Sequence, residues 1–216
     1  MWRAVSIFVL VSGLSGADDS LDRVVAAAGQ RVVTLSAVRR QLRLDALANH
    51  TPLVDTPAAR RDAAARLVDQ MLLRSEIELS RYTAPPMAEA EATIETFLGE
   101  RKVRSEEWLS TLERNGFSED DFKREVLWRI TVARFLEYRF APGVQVSDEE
   151  ISGFYQREFL PQFARESPAQ AAPRLDDVRE KIVRVLIVRR TNVAVDQWLA
   201  QTRIQMKVRL FEEALQ

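Results

Sequence analysis

Few residues of this chain are of the types that carry enzymatic chemistry. Its 216 residues include one histidine, His50, and no cysteine. Thiolate catalysis and a disulfide framework are therefore excluded, and no Cys/His cluster is present to hold zinc. His50 lies in a polar segment, and the chain has neither a serine elbow motif nor a glycine-rich phosphate loop. We therefore expect a solvated loop histidine, no metal, no cofactor and no catalytic residue, and we predict that the protein is not an enzyme.

The charged clusters have simple structural explanations. Residues 119–121 and 148–150 are acidic and stand where helices are predicted to begin, and the helix dipole favours negative charge there without any metal ion. The arginine pairs at 39/40, 60/61 and 189/190 are expected on solvated faces. The formal net charge is −1. Because duplex binding depends largely on neutralising phosphates, this charge balance argues against a nucleic-acid partner.

Aromatic side chains are left as the candidates for binding. The helical segments hold more of them than one helix face needs, and two interpretations stay open for each. It packs in the core, or it lines a groove that holds apolar segments of unfolded polypeptides. Exposed apolar patches usually mark binding surfaces, and adaptable side chains suit promiscuous binding. The candidates for peptide binding are Trp108, Trp128, Tyr138, Phe154, Tyr155, Phe159 and Phe163.

A helix over residues 118–140 is predicted at the centre of the fold. Ser118 can cap it, and acidic residues follow in its first turn. Its apolar residues recur at steps of three and four, and further aromatic residues fall outside that face. This distribution indicates a helix packed on two sides. Pro142-Gly143 ends it.

Other helices are predicted around this one. Thr56 caps a helix that begins at Pro57 and runs to about Arg81, and Ser147 starts another by the capping-box pattern. The remaining helical segments are 87–102, a short one opened by Ser105 and closed by Asn115-Gly116, and 175–203. Residues 164–173 are rich in alanine, contain two prolines and are interpreted as a linker.

A small sheet is predicted from both ends of the chain. Residues 22–28 and 31–34 have the length and β-branched content of strands joined at Gly29-Gln30, and a helix capped by Ser36 follows. Residues 206–210 alternate polar and apolar side chains, as a strand does. Because a lone hairpin is marginal in water, we expect this C-terminal strand to complete it. The predicted fold class is mainly α, a multi-helix domain with a small antiparallel sheet formed by the N-terminal hairpin and the C-terminal strand.

The first 17 residues have the features of a secretory signal peptide. A positive start with Arg3 precedes an apolar run at 4–14, and small residues at 15–17 precede Asp18. As a helix the apolar run would measure about 16 Å, roughly half of a bilayer core, so no stable membrane span is expected. We predict cleavage before Asp18 and export to the periplasm. An uncleaved anchor and a buried first helix are the alternatives.

Five stretches of the chain follow one another in a distinctive order. They are the strand, turn, strand and helix at 24–42, the helical segment 66–76, Asn115-Gly116-Phe117-Ser118 with Phe122 after it, the segment 146–155, and 175–182 with Trp198 further on. Together they resemble the chaperone module of SurA-type periplasmic folding factors, a family related to PpiD, PrsA and the substrate-binding part of trigger factor. The resemblance covers most of residues 18–216. It implies an N-terminal part at 18–163, the linker 164–173 and a returning helix and strand at 174–210.

The chain departs from this family in one respect. Relatives commonly insert parvulin-type prolyl isomerase domains, about 100 residues each, between the last two helices, where this chain has only residues 164–173. The parvulin site also relies on histidines, and the single histidine here lies far upstream. The resemblance therefore implies a chaperone module without isomerase activity.

The expected function is that of a periplasmic holdase. It would bind unfolded exported or outer-membrane proteins through an apolar groove. A structural or adaptor protein of the same fold, with one dedicated partner or as a homodimer, is the alternative. An open apolar groove favours the holdase, and a flat self-complementary patch favours the adaptor.

Overall fold

The computed structural model describes residues 22–216, so the predicted signal peptide at 1–17 lies outside the described residues. The strands are β1 Val24–Ala28, β2 Arg31–Thr34 and β3 Arg209–Leu210. The helices are α1 Leu35–Asn49, α2 Pro57–Ser80, α3 Met87–Arg101, α4 Ser105–Arg114, α5 Glu119–Phe140, α6 Asp148–Phe154, α7 Leu160–Glu166 and α8 Leu175–Gln205. A π turn, Tyr155–Phe159, joins α6 to α7. The mainly α fold with a small sheet is confirmed.

The sheet joins the two ends of the described chain. Its strand order is β2-β1-β3, and both neighbours of β1 are antiparallel to it. Gly29 makes the hairpin turn with a positive φ of 60°, and its N–H donates to the carbonyl of Met206 at 3.1 Å. The C-terminal strand therefore pairs with the hairpin, as its alternating pattern predicts.

Helices α1, α2 and α8 and the sheet enclose the main core. Val25, Val38, Val68 and Leu215 are almost fully buried in it, and the C-terminal half of α8 adds Val195 and Leu199. Partly buried side chains of α5, including Trp128 and Phe140, pack against this cluster. A second cluster lies between the C-terminal half of α1, α3, α4 and the start of α5, and its buried residues are Leu44, Leu98, Trp108, Leu112, Phe117 and Phe122. The central helix α5 thus contacts both clusters, which explains its two apolar faces.

Local capping chemistry fixes several helix starts. The hydroxyl of Thr56 accepts a hydrogen bond from the Ala59 N–H at 3.2 Å, and Pro57 takes the first helical position. Ser118 and Asp121 form a capping box at the start of α5. Ser147 and Glu150 form another at the start of α6. These three starts match the sequence prediction.

Three boundary predictions are wrong for local reasons. Thr34, not Ser36, caps α1, because the extended backbone of Thr34 lets its hydroxyl accept from the Ala37 N–H, while Ser36 bonds to Asp22. The linker begins after Glu166, since the helix continues past Pro161. The last strand has only two residues, because α8 runs to Gln205 and is closed by Lys207 with a φ of 50°.

No helix among residues 22–216 is both long enough and apolar enough to cross a bilayer. The longest of them, α8, carries charged residues along its length.

Candidate functional site

A cleft between α8 and the preceding helical segment brings together several of the aromatic candidates. That segment, here called the arm, consists of α6, the π turn and α7 and covers residues 148–166. The cleft between the arm and α8 has a volume of about 400 Å³. The side chains that line it are Phe154, Phe159, Gln162, Phe163, Glu166, Pro173, Val178, Lys181, Ile182, Val185 and Arg189.

The π turn lets the arm continue through a proline. Pro161 has no N–H to donate, and its ring would clash with the carbonyl four residues earlier in a regular α-helix. In the π turn the Leu160 N–H donates instead to the carbonyl of Tyr155, five residues earlier. The wider turn accommodates the ring and brings Phe154 and Phe159, five residues apart, to the same cleft. Phe159 and Phe163 are four residues apart and so share one helix face. Their rings are stacked with centroids 6.1 Å apart.

Three phenylalanines of the arm face a matching stripe on α8. Val178, Ile182 and Val185 recur at steps of four and three, so they form one face of that helix. Ile182 is buried, whereas Phe154, Phe159 and Phe163 are half-buried. The floor of the cleft is therefore apolar, and the phenylalanine rings remain partly accessible to an occupant.

Tyr155 stands behind the cleft. Its ring stacks on Phe159 with centroids 5.7 Å apart, and its hydroxyl donates to the carbonyl of Pro173 at 2.8 Å. It is not among the residues that line the cleft. The contact joins the arm to the end of the linker and so positions the wall that Pro173 contributes.

The rim of the cleft is polar and carries both signs of charge. Arg189 lies over the Phe154 ring, 4.8 Å from its centroid, and forms an ion pair with Glu158 at 2.7 Å. Gln162 donates to Glu166 at 2.8 Å. Lys181 is exposed at the opposite wall. The rim supplies adaptable hydrogen-bonding groups around an apolar floor.

The arm is held against α8 by one buried apolar contact region and several exposed ion pairs. Ile151 and Ile182 are buried there. Arg179 pairs with Asp148, and Arg190 contacts both Glu150 and the carbonyl of Gln145. Exposed pairs contribute about 0.2–1 kcal/mol each, so this attachment is weaker than the packing of the main core.

The structure does not bring all seven predicted aromatic residues into one groove. Trp108 is only 4 % exposed and packs edge-on against Phe97 and Phe122, with centroids 5.6 and 5.0 Å apart. It belongs to the second core cluster and does not line the cleft beside the arm. Its helix buries one face against α5, and periodicity alone does not tell a buried face from a binding face.

Trp128 and Tyr138 also lie away from the cleft. Trp128 is half-buried against the main core, and the guanidinium of Arg74 covers its ring at 4.0 Å. Tyr138 is 64 % exposed and contacts Tyr82, with centroids 5.4 Å apart. Of the three residues outside the cleft region, only Tyr138 presents a largely open ring.

His50 is exposed at the end of α1, where its backbone has a positive φ of 50° and caps the helix. Its ring stacks on Phe97 with centroids 5.8 Å apart. A pocket of about 280 Å³ adjoins it, between the end of α1 and α4.

The α8 wall of the cleft was not predicted as part of the site. Val178, Ile182 and Val185 stand out in the sequence as the apolar side of a long helix, which predicts core packing. The signal that could have distinguished these three residues from core residues is their position in the N-terminal half of α8. Its N-terminal half follows the linker and meets the arm, whereas its C-terminal half meets the main core.

Neither a scan against models of known protein families nor a search of curated proteins finds a match to this chain. The assignment of function therefore relies on the geometry of the cleft.

Proposed function

We propose that this protein is a holdase-type chaperone that binds non-native polypeptides in the cleft between the arm and α8. The observation that supports the proposal is the convergence of Phe154, Phe159 and Phe163 with the apolar stripe of α8 around one open cleft. Partly exposed aromatic rings over an apolar floor are suited to apolar side chains of many shapes. The polar rim suits the backbone of an extended segment.

The size of the cleft is consistent with weak and broad recognition. About 400 Å³ lies in the lower part of the range for ligand pockets, so it takes a short stretch of a client. Burial of one large apolar side chain contributes about 1.5–3 kcal/mol. Association itself costs at least about 4 kcal/mol, so two or three anchored side chains leave a modest affinity. Such binding delays aggregation without trapping the client.

The proposal includes the absence of isomerase activity. Residues 167–174 are all that connects α7 to α8, and an inserted isomerase domain would need about 100 residues at this point. We further propose that the protein resembles SurA-type chaperones in function and acts in the periplasm, after removal of residues 1–17.

The test is suppression of client aggregation by matched variants. Val185→Ser introduces a hydroxyl into the cleft, whereas Val188→Ser makes the same change three residues along α8 at a side chain that is 58 % exposed and does not line the cleft. We expect wild type and Val188→Ser to slow the aggregation of an unfolded client at near-stoichiometric ratios. Val185→Ser and Phe163→Ser should slow it several-fold less.

Three results would contradict the proposal. Equal suppression by all variants with unchanged helical circular dichroism would remove the cleft from the site. Tight binding of one folded partner, with no effect on unfolded clients, would favour a dedicated adaptor instead. Acceleration of cis/trans exchange in a proline-limited peptide, with host isomerases removed, would overturn the claim that the module lacks isomerase activity.

A further inference from the structure

Another pocket, distinct from the cleft and from the pocket beside His50, lies between α3, α4 and the start of α5. Its volume is about 320 Å³. The residues that line it are Glu91, Ile94, Glu95, Leu98, Ser105, Trp108, Leu109, Glu119, Phe122 and Lys123. None of them lines the cleft between the arm and α8.

The floor of this pocket is apolar. Leu98, Trp108 and Phe122 are buried members of the second core cluster, and Ile94 and Leu109 are half-buried beside them. An apolar side chain that enters the pocket would therefore lose its contact with water and pack against fixed neighbours. Burial of this kind is favourable in proportion to the apolar area removed from water.

The rim of this pocket is acidic. Lys123 pairs with Glu91 at 3.2 Å and with Glu119 at 3.0 Å, and these contacts raise its pKa. Glu95 has no ion-pair partner in the described part of the chain. Three carboxylates and one ammonium leave a negative rim. The N-terminal end of α5 offsets only about half an elementary charge, so the rim stays negative.

The arrangement of the rim favours a peptide over an alkylamine as the occupant. Its carboxylates come from two helices, Glu91 and Glu95 from α3 and Glu119 from α5. A peptide carries several cations beside one apolar side chain, whereas an alkylamine carries a single cation.

From these features we propose that the pocket of α3, α4 and α5 binds a basic apolar polypeptide segment, in which one leucine- or phenylalanine-sized side chain is flanked by lysine or arginine. The apolar side chain fills the floor, and its basic neighbours face Glu95 and Glu91. This recognition is separate from client binding in the cleft. It selects by charge, whereas the cleft carries both signs at its rim.

The test uses three acetylated twelve-residue peptides and fluorescence anisotropy. One has leucine and phenylalanine flanked by lysines, one replaces the lysines by glutamates, and one keeps the lysines but replaces the apolar residues by serine. We expect only the first to bind, more weakly as salt is raised, because exposed charges are screened. Glu95→Lys should weaken its binding about fivefold, the upper range for one exposed ion pair.

Two variants serve as controls. Glu100→Lys makes the same charge change on α3 at an exposed residue that does not line the pocket, and it should leave the affinity unchanged. Phe163→Ser alters the cleft alone, so unchanged peptide binding by this variant separates the two sites. Equal binding of the acidic peptide, or equal effects of Glu95→Lys and Glu100→Lys, would overturn the proposal.

Discussion

The hydroxyl of Tyr155 donates a hydrogen bond to the carbonyl of Pro173, 18 residues later, at a distance of 2.8 Å. This is the contact that joins the arm directly to the linker end before α8. Because Tyr155 also stacks on Phe159, the position of the linker and the position of a cleft ring are coupled through one side chain. The cleft therefore depends on a residue that does not line it.

We expect Tyr155→Phe to loosen the linker end without unfolding the domain. One net hydrogen bond contributes about 1 kcal/mol, which corresponds to a fall in Tm of about 2–4 °C for a chain of this size. Differential scanning calorimetry measures the fall in Tm, and Tyr138→Phe at an exposed position is the matched control. Equal Tm values for the two variants would show that the bond contributes nothing.

The C-terminal residues after α8 are predicted to stabilise the whole domain. Leu215 is 1 % exposed in the main core, and its carbonyl accepts from Arg60 at 3.2 Å. Leu215→Ala should cost about 2–4 kcal/mol, because the deleted atoms leave a cavity. Urea denaturation gives the value, with exposed Glu213→Ala as a control that should change little. Truncation after Arg203, which also removes β3, should lower stability further.

Stability should depend on pH through Asp121. Hydrogen bonds from the Ser118 backbone N–H and hydroxyl lower the pKa of this carboxyl from 3.8 to about 2. A depressed pKa contributes stability that is present above the unfolded value and lost as pH falls through the folded value. The advantage of wild type over Asp121→Asn should therefore shrink between about pH 5 and pH 2.

The free energy of unfolding that wild type loses through this protonation is about 1 kcal/mol, after allowance for the solvent screening of a partly exposed side chain. Urea titrations at several pH values measure it. Asp120→Asn, the same change at the exposed neighbour, is the control. A difference between wild type and Asp121→Asn that stays constant down to pH 2 would contradict the assignment.

The arm is predicted to open before the rest of the molecule. Arg190 reaches both Glu150 and the carbonyl of Gln145, and both contacts lie at the surface. Arg190→Met should raise the hydrogen-exchange rate of α6 by about fivefold, since an exposed pair is worth up to about 1 kcal/mol. Exchange of α1 should not change. Arg184→Met, an exposed arginine of α8 without an ion-pair partner in residues 22–216, is the control, and equal exchange in both variants would contradict the prediction.

Much of this fold follows from local sequence signals. The capping pairs at Ser118 and Ser147 involve residues three positions apart, so the sequence contains all of the chemistry that starts those helices. The hairpin and its third strand follow from alternation and from the need of a lone hairpin for a partner. The extent of β3 could not be predicted, because helix and strand compete over 203–208 and the left-handed backbone of Lys207 decides between them.

The site was predictable only in part. Phe154, Phe159 and Phe163 are recognisable as surplus aromatic residues, and the structure brings them to one cleft. Trp108 has the same type of sequence signal and is buried, because exposure depends on which helix packs against it. The π turn was not predicted, because a proline inside a helical pattern usually ends or kinks the helix. The four-residue spacing of Phe159 and Phe163 places both on one helix face, but the five-residue spacing of Phe154 and Phe159 does not, and only the π turn brings these two together.

The π turn also sets the rotational phase of the arm. An α-helix advances about 100° per residue, so the five residues from Phe154 to Phe159 would leave the two rings about 140° apart on a regular helix. In the π turn the hydrogen bond closes over five residues instead of four, and both rings line the cleft. The turn thereby absorbs one residue without turning α7 away from α8, and Phe163 lines the cleft together with Val185. A regular helix of this sequence would contain the same three phenylalanines, but no single face of it would hold all of them.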